Sequence, residues 1–197
     1  ENQGKYDRAE SLFRYCLSKR KTILGPDDPD TLTSINNLGA LYCKQRNYDK
    51  AEPLFKDCLM RRNDILGPDH VDTLQSINNL ANLYHSQGKY DEAEPLYRKC
   101  LLRRENVLGG SHPETLKSMN NLAGLYSRKK EYEKSKRKYE ECIEKMEAVL
   151  GSTHADTLQT VNNLATLYCR QEEYDTAEQL LQDCLSKRET TLGSNHP

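Results

Sequence analysis

The sequence predicts an all-α fold, a right-handed superhelical solenoid of stacked helix pairs. Two adjacent asparagines return every 42 residues, as Asn36-Asn37, Asn78-Asn79, Asn120-Asn121 and Asn162-Asn163. Apolar residues around them recur at steps of three and four, which is typical of helices with one buried face. A helix pair cannot bury its apolar face alone, so a fixed period indicates units that stack on their neighbours. We expect nine helices, one leading helix followed by four pairs.

The same period sets the expected repeat boundaries. Residues 1–25 are expected to be the second helix of a truncated leading repeat. Four full repeats and the start of another follow, at residues 26–67, 68–109, 110–151, 152–193 and 194–197. The chain lacks an initiator methionine and begins within a repeat, so we expect it to be a fragment of a longer protein.

Each repeat is expected to contain two helices with recognisable ends. In the first full repeat they run from about Asp30 to Lys44 and from about Tyr48 to Ile65. A weaker break separates the two helices at the segment that ends in Tyr48. A glycine suits the C-terminal cap of each second helix, because glycine adopts the left-handed conformation without strain. These glycines are Gly25, Gly67, Gly109, Gly151 and Gly193.

Prolines mark the starts of several predicted helices. Proline at the first helical position lacks only a donor that would be unpaired anyway, so it is expected to begin first helices. The prolines at that position are Pro29, Pro113 and Pro197. Pro53 and Pro95 fall early in second helices and are expected to bend the first turns.

A histidine recurs at one position of the connector between repeats. The four copies are His70, His112, His154 and His196, and Asp28 takes the position in the first full repeat. One histidine per repeat cannot converge on a single metal ion, so each is expected to cap the helix that follows it. We therefore expect no metal site and no cofactor.

Composition and motifs argue against several classes of function. The chain has 29 basic and 30 acidic residues, so its formal charge of −1 gives no long-range attraction to nucleic acid or anionic membranes. No segment is long and apolar enough to span a bilayer. No glycine-rich phosphate loop, nucleophile elbow or zinc-protease motif occurs. We expect a chain that is not an enzyme and that binds neither nucleic acid nor membranes.

Five of the seven cysteines recur with the repeat, as Cys16, Cys58, Cys100, Cys142 and Cys184. Like positions on stacked repeats are separated by about 10 Å, the packing distance of helices. That separation is too large for a disulfide. Each is expected to be a small buried side chain, and reduced thiols favour a cytoplasmic location.

Two charged patterns need a separate interpretation. Basic pairs late in the second helices suit the negative end of the helix dipole, and no aromatic platform for nucleic acid accompanies them. They are Arg61-Arg62, Arg103-Arg104 and Lys187-Arg188. The segment Ser135-Lys136-Arg137-Lys138 replaces the usual Ala-Glu-Pro-Leu. It is expected to be a solvated convex surface, or else a contact for another domain.

The order of small and aromatic residues resembles the tetratricopeptide repeat (TPR). The first full repeat shows Leu38-Gly39, Tyr42, Tyr48, Ala51, Phe55 and Cys58-Leu59, and the second shows Leu80-Ala81, Tyr84, Gly88, Tyr90, Ala93, Tyr97 and Cys100-Leu101. The common unit of that family has about 34 residues, so the unit here is longer. Its Asn-Asn-Leu-Ala signature is similar to the kinesin light chain and nephrocystin-3 type. This resemblance implies a TPR solenoid that takes short acidic cargo motifs in its concave groove.

Helix geometry separates the two asparagines of each pair. Steps of about 100° per residue place Leu38 and Tyr42 on the side that packs on the second helix. Asn37 then points away from that side, toward the concave surface, whereas Asn36 lies on a flank toward a neighbouring repeat. The flanking amides are expected to bond across the stack. They are Asn36, Asn78, Asn120 and Asn162.

The positions that face the concave surface form the expected peptide-binding groove, and they include no acid. They are Thr33, Asn37, Lys44, Gln75, Asn79, Asn82, Ser86, Lys117, Asn121, Arg128, Gln159, Asn163, Thr166 and Arg170. A row of paired donors and acceptors suits an extended peptide, whose backbone must regain the hydrogen bonds it loses from water. The lysines and arginines in this set indicate a peptide with acidic residues. Ala40 and Gly124 are small and are expected to leave room for a bulky side chain.

Three interpretations of the function stay open. The first is a kinesin light chain-like cargo adaptor, and the second is a TPR scaffold cut from a larger regulatory protein, either nephrocystin-like or joined to a nucleotide-switch domain. The third is a structural spacer. Heptads upstream would favour the first, and a phosphate-loop domain would favour the second. Because the array is truncated, its end helices are also expected to be able to stack end to end.

Overall fold

The structure, a computed structural model, describes the backbone of residues 2–192 and the side chains of residues 6–189. This part of the chain contains nine α-helices and no strand. They are α1 (Asn2–Ile23), α2 (Pro29–Lys44), α3 (Tyr48–Leu66), α4 (Val71–Ser86), α5 (Tyr90–Leu108), α6 (Pro113–Arg128), α7 (Tyr132–Leu150), α8 (Ala155–Arg170) and α9 (Tyr174–Leu192). The predicted order of one leading helix and four pairs is confirmed. The predictions for Gly193, His196, Pro197 and residues 194–197 lie outside the described residues.

The chain divides into two compact units, residues 1–103 and residues 104–197, and the division falls inside α5. In the first unit α2 packs between α1 and α3, and α4 packs on α3 and touches α2. In the second unit α7 packs between α6 and α8, and α8 also contacts α9 and α6. Consecutive helices therefore pack in both units, as expected of stacked pairs. The repeat boundaries given above stay a prediction.

Each unit buries the apolar side of its helices. In the first unit Ile35 and Leu38 of α2 are buried with Phe55 of α3. In the second unit Leu164 of α8 is buried with Tyr139 of α7. Burial of one such side chain is worth about 1.5–3 kcal/mol. The three- and four-residue spacing of these positions leaves the opposite side of each first helix polar.

A side-chain cap begins α4, α6 and α8. The Nδ1 atoms of His70, His112 and His154 accept the backbone N–H groups two residues later, at 3.2, 3.2 and 3.1 Å. Asp28 accepts the N–H of Asp30 at 2.9 Å in the same way at α2. The capping prediction is confirmed for these four helices, and each cap satisfies a backbone donor that has no partner inside the helix.

Left-handed residues end both helices of each pair. The predicted glycine caps are confirmed at Gly25, Gly67, Gly109 and Gly151, whose φ angles lie between 88° and 95°. The turn from the first to the second helix also requires a positive φ. Glycine supplies it only at Gly88 among the described turns, whereas Arg46, Lys130 and Glu172 adopt φ angles of 58°, 62° and 65°. Non-glycine residues in this region are strained, so the weak sequence signal at this break has a physical cause.

Four of the five recurring cysteines are buried, as predicted: Cys58, Cys100, Cys142 and Cys184. The Cys58 thiol donates to the carbonyl of Leu32, on the first helix of its own pair, at 3.4 Å. Burial raises the pKa of Cys142 to about 12, so this thiol stays protonated. The prediction is wrong for Cys16, which is exposed. Among the described residues, no helix packs on α1 in the way that α2 packs on α3, so Cys16 lacks the cover that Cys58 has.

A buried arginine that was not predicted from the sequence joins successive pairs. Arg62 of α3 is only 3% exposed. Its Nη1 donates to the carbonyl of Asp72 and to the hydroxyl of Ser76, both on α4 and both at 3.0 Å. Its Nη2 donates to the hydroxyl of Thr33 on α2 at 3.1 Å. One guanidinium thus ties α3 to its own first helix and to the next one.

The same link recurs with the repeat period. Arg20 Nη1 donates to Ser34 Oγ at 2.8 Å, and Arg104 Nη1 donates to Ser118 Oγ at 2.9 Å. A buried charge without partners is strongly unfavourable, so the guanidinium requires these acceptors. An arginine and a serine that recur together at 42 residues were the sequence signal for this contact.

Between α7 and α8 a different residue takes the place of this arginine. Met146 and Thr160 stand at the equivalent positions, and the Thr160 hydroxyl donates to the Met146 sulfur at 3.3 Å. Met146 is 2% exposed. The paired change keeps the space filled and removes the buried charge.

The first member of each basic pair makes a different contact. Arg61 Nη1 bonds Asp27 at 2.5 Å, and Arg103 Nη1 bonds Asp69 at 3.0 Å, so both reach the preceding connector. The last turns of α3, α5 and α9 contain no basic residue. The interpretation of the basic pairs, including Lys187-Arg188, as partners of the helix dipole is therefore wrong. In α3 and α5 the first arginine of the pair forms a surface ion pair, and the second arginine forms the buried link.

Copying the Met146–Thr160 pair into the first unit tests the buried link. Arg62→Met alone leaves three acceptors without their donor and is expected to lower the free energy of unfolding by about 2–4 kcal/mol. Adding Ser76→Thr is expected to recover at least about 0.5 kcal/mol relative to the sum of the two single changes. Urea unfolding of the four proteins measures this coupling. Arg61→Met is the control, with an expected loss below about 1 kcal/mol. Strictly additive effects would contradict the account.

Candidate functional site

The predicted site residues lie on the first helices of the pairs, on the sides that the core leaves polar. In the first unit we call these residues the first-unit amide face. It comprises Thr33, Asn36, Asn37 and Lys44 of α2 with Gln75, Asn78, Asn79, Asn82 and Ser86 of α4. The second-unit amide face comprises Lys117, Asn120, Asn121 and Arg128 of α6 with Gln159, Asn162, Asn163, Thr166 and Arg170 of α8.

A bond between side-chain amides crosses from one first helix to the next in the first unit. Asn79 Nδ2 donates to Asn36 Oδ1 at 2.8 Å. Gln75 Nε2 in turn donates to Asn79 Oδ1 at 2.9 Å, one turn earlier on α4. The prediction that a flanking asparagine bonds across the stack is confirmed at Asn36.

The second unit repeats this arrangement. Asn163 Nδ2 donates to Asn120 Oδ1 at 3.1 Å, and Gln159 Nε2 donates to Asn163 Oδ1 at 3.3 Å. Helical angles predict separate roles for the two asparagine positions, the first toward the neighbouring repeat and the second toward the groove. In both units the first asparagine of one repeat and the second asparagine of the next repeat instead form one bond. Angles within a single repeat do not reveal a contact between two repeats.

These bonds leave part of each asparagine available. A side-chain amide has two N–H donors and two acceptor lone pairs. Asn79 and Asn163 each use one of each and are only half-buried. One donor and one acceptor on each therefore stay available for a ligand. The exposed Asn37 makes no hydrogen bond with any described residue.

Several other predicted site residues have local partners. The Thr33 hydroxyl accepts from Arg62, and the Thr166 hydroxyl donates to the carbonyl of Asn162 at 2.9 Å. Asn78 is buried, and neither Asn78 nor Asn121 is without a partner. The two faces therefore offer fewer independent ligand groups than the sequence predicted.

A tyrosine of a second helix reaches the amide face in each unit. In the first unit the Tyr97 hydroxyl donates to Asn82 Oδ1 at 2.5 Å and lies 3.4 Å from His85 Nδ1. Tyr97 is fully buried. One acceptor position of Asn82 is thus used by its own pair, and its role as a groove residue stays a prediction.

Gly124 and Tyr139 take these places in the second unit. A Cβ atom added at Gly124 would lie 3.3 Å from the Tyr139 hydroxyl oxygen. This hydroxyl therefore lies at the bottom of the space predicted beside Gly124. Burial raises the pKa of Tyr139 to about 12, and the charges of Arg170 and Arg128 act in the opposite direction. Both guanidinium groups thus act on the same hydroxyl.

The basic residues of the two faces differ in how freely they carry charge. Lys117 pairs with Glu114 at 3.0 Å, so its charge is partly neutralised. Arg170 Nη1 donates to Ser127 Oγ at 3.4 Å. Within the part of the chain that the structure describes, neither Lys44, Arg128 nor Arg170 has a carboxylate partner within 4.0 Å. The strongest unpaired positive charge therefore lies on the second-unit amide face.

The segment of residues 135–138 is more buried than predicted. Ser135 is fully buried, and its hydroxyl donates to the carbonyl of Ala123 at 2.8 Å. Lys136 Nζ lies 5.3 Å from the centre of the Tyr168 ring on α8. Arg137 is exposed. The interpretation of the segment as a solvated surface is wrong for Ser135.

Within the described residues, no group of three or more histidine, cysteine, aspartate or glutamate side chains could hold a metal ion. None of the helices described here has the length and hydropathy of a membrane span.

The tetratricopeptide repeat family matches the chain at residues 1–64, 35–101, 72–148 and 116–190. These overlapping matches cover nearly the whole sequence. Comparison with curated proteins found no match.

Three solved structures have similar folds. A variant form of the nearly identical TPR-like repeats of a candidate kinesin light chain from Podosopora anserina is 22% identical, with a TM-score of 0.80 over 98% of this chain and 91% of that chain. BtubC (BKLC) from P. vanneervenii is 24% identical, with a TM-score of 0.80 over 100% of this chain and 78% of that chain. The apo form of RapI is 16% identical, with a TM-score of 0.77 over 96% of this chain and 66% of that chain. At these identities the similarity establishes the fold.

The amide bond between repeats has a direct test in the first unit. Asn79→Ala removes the donor to Asn36 and the acceptor of Gln75, so it is expected to lower the free energy of unfolding by about 1–2 kcal/mol. Asn37→Ala is the matched control, because Asn37 occupies the same position on α2 but is exposed and makes no such bond. Its expected effect is within about 0.5 kcal/mol. Equal effects in urea unfolding would show that the amide bond does not stabilise the stack.

Proposed function

Since the chain belongs to the tetratricopeptide repeat family and is a protein-interaction module, we propose that its amide faces bind an extended acidic segment of another protein. The segment lies along the first helices, with its backbone bonded to the asparagines and its acidic side chains held by Lys44, Arg128 and Arg170. The function is binding, without catalysis.

One observation carries the proposal. Arg128 and Arg170 lie on the second-unit amide face without carboxylate partners among the described residues, and Asn163 of the same face keeps a donor and an acceptor available. Arg61 and Arg103, in contrast, are paired with connector aspartates. Unpaired guanidinium groups bind carboxylates through paired hydrogen bonds. An acidic peptide supplies the missing partner.

The peptide backbone is the other half of the recognition. Donors and acceptors of an extended segment must replace the hydrogen bonds that they lose from water. The partly free amides of Asn79 and Asn163 supply a donor and an acceptor in each unit. In the proposal these amides line the concave side of the solenoid and give affinity that depends little on sequence, whereas the bases select acidic side chains.

A cytoplasmic cargo adaptor is the cellular role that we propose for this module. Four buried cysteines that are reduced in the structure are compatible with that compartment. The kinesin light chain-like signature in the sequence and the fold shared with similar repeats support the role of an adaptor. A structural spacer would not require unpaired bases beside available amides.

Binding of an acidic peptide library at increasing salt tests the proposal. Affinity is expected to fall as salt rises, because exposed charges are screened. Arg128→Glu is expected to weaken binding at least about tenfold, since it replaces an attraction with a repulsion. Arg137→Glu is the matched control, an exposed arginine of the same unit that lies off the amide face. Fluorescence anisotropy measures the affinity of each variant at each salt concentration. An affinity that changes neither with salt nor with Arg128→Glu would reject the proposal.

A further inference from the structure

We propose that the second unit binds a phosphorylated side chain of its partner peptide, a phosphomonoester dianion, at a site formed by Arg128, Tyr139 and Arg170. This inference rests on the proposed peptide-binding function, because the neighbouring amides position the peptide backbone. It adds the chemical class of one side chain and a means of regulation. Phosphorylation of the partner would strengthen its binding.

The Tyr139 hydroxyl is the observation that points to a ligand. Tyr139 is 4% exposed, yet its hydroxyl donates to no other residue in the part of the chain described by the structure. Its counterpart Tyr97 is fully buried and donates to Asn82 at 2.5 Å. Because the Tyr139 hydroxyl oxygen is not among the buried side-chain atoms that lack a partner, it keeps some access to solvent. A ligand that supplies an acceptor oxygen can therefore reach this donor.

Two residue changes leave this hydroxyl without a partner. Gly124 stands where the first unit has Asn82, so the acceptor side chain is missing, and the hydroxyl lies 3.3 Å from where a Cβ would be. Ser127 stands where the first unit has His85, whose ring lies 3.4 Å from the Tyr97 hydroxyl. Both neighbours of the hydroxyl are thus replaced by small residues on the same side of α6.

Two guanidinium groups flank the opening. Arg128 follows Gly124 by one helical turn on α6, and Arg170 of α8 reaches Ser127 at 3.4 Å. Neither has a carboxylate within 4.0 Å among the described residues. Glu131, in the turn after α6, is already paired with Lys134 and Lys129. The site therefore gathers two unpaired positive charges and one unpaired donor.

Phosphate matches this set of donors better than a carboxylate does. A phosphomonoester carries a charge of about −1.5 to −2 and three strong acceptor oxygens. Two arginine forks and one hydroxyl can each take an oxygen of that group. A carboxylate carries one charge, so it neutralises only one of the two guanidinium groups. Lys44 in the first unit has no equivalent hydroxyl with it, so it suits the carboxylate of an aspartate or glutamate side chain.

Degenerate nonapeptide libraries with one fixed central residue test the inference by fluorescence anisotropy on the full chain. The fixed residue is phosphoserine, glutamate or serine. We expect phosphoserine to bind about tenfold more tightly than glutamate, and glutamate more tightly than serine. Equal binding of phosphoserine and glutamate would overturn the inference and leave the proposed function standing. Equal binding of all three libraries would overturn both.

Tyr139→Phe isolates the hydroxyl. Phenylalanine occupies the equivalent buried position at Phe55, so the variant is expected to fold. It should weaken phosphoserine binding about tenfold and change glutamate binding by less than about twofold. Arg137→Gln is the control and should change neither. Unchanged phosphoserine affinity in Tyr139→Phe would overturn the inference. So would tighter binding to phosphatidylcholine vesicles with phosphatidylinositol 4-phosphate than to the phosphoserine library, because the site would then recognise a lipid headgroup.

Discussion

The bond between asparagine side chains of successive first helices is the constraint on which this architecture depends. Apolar burial drives the helices together but is not directional, so it does not by itself fix how one pair sits on the next. The bonds from Asn79 to Asn36 and from Asn163 to Asn120 are directional and fix that placement. The buried Arg62 adds a second fixed link from the side of α3. In each unit the first asparagine of one pair and the second asparagine of the next form this link.

The same residues that hold the repeats together make the proposed ligand surface. An asparagine that bonds its neighbour is held in place and still offers a donor and an acceptor, so little entropy is lost when a peptide binds. The second unit departs from this plan in two ways. Met146 and Thr160 replace the arginine link, and Gly124 removes the partner of Tyr139. The second change removes an internal polar partner on the same face that presents two unpaired arginines.

The sequence predicted the nine described helices, their caps and four of the five recurring buried cysteines, because spacing, glycine and proline act locally. It predicted the bond from Asn36 across the repeats but gave Asn79 a separate role, because helical angles on one repeat do not describe a contact between two. The sequence pattern indicated Arg62 as a partner of the helix dipole, because its acceptor Ser76 lies on the next helix and the contact is not visible within one repeat. The unpaired hydroxyl of Tyr139 was also missed. Its only sequence signal was that Asn82 is replaced by Gly124 at the position that meets the tyrosine.

The central claim is that amides which join the repeats also contact the peptide. Side-chain NH₂ signals of asparagine in ¹H–¹⁵N NMR spectra, recorded during titration with an acidic peptide library, test it most directly. The account predicts that the signals of Asn79 and Asn163 shift and saturate together with the binding isotherm. The signal of Asn63, an exposed residue of α3 whose side chain donates to Asp64, should not move. Saturable binding that shifts residues of α3 and α7 and leaves Asn79 and Asn163 unchanged would contradict the claim.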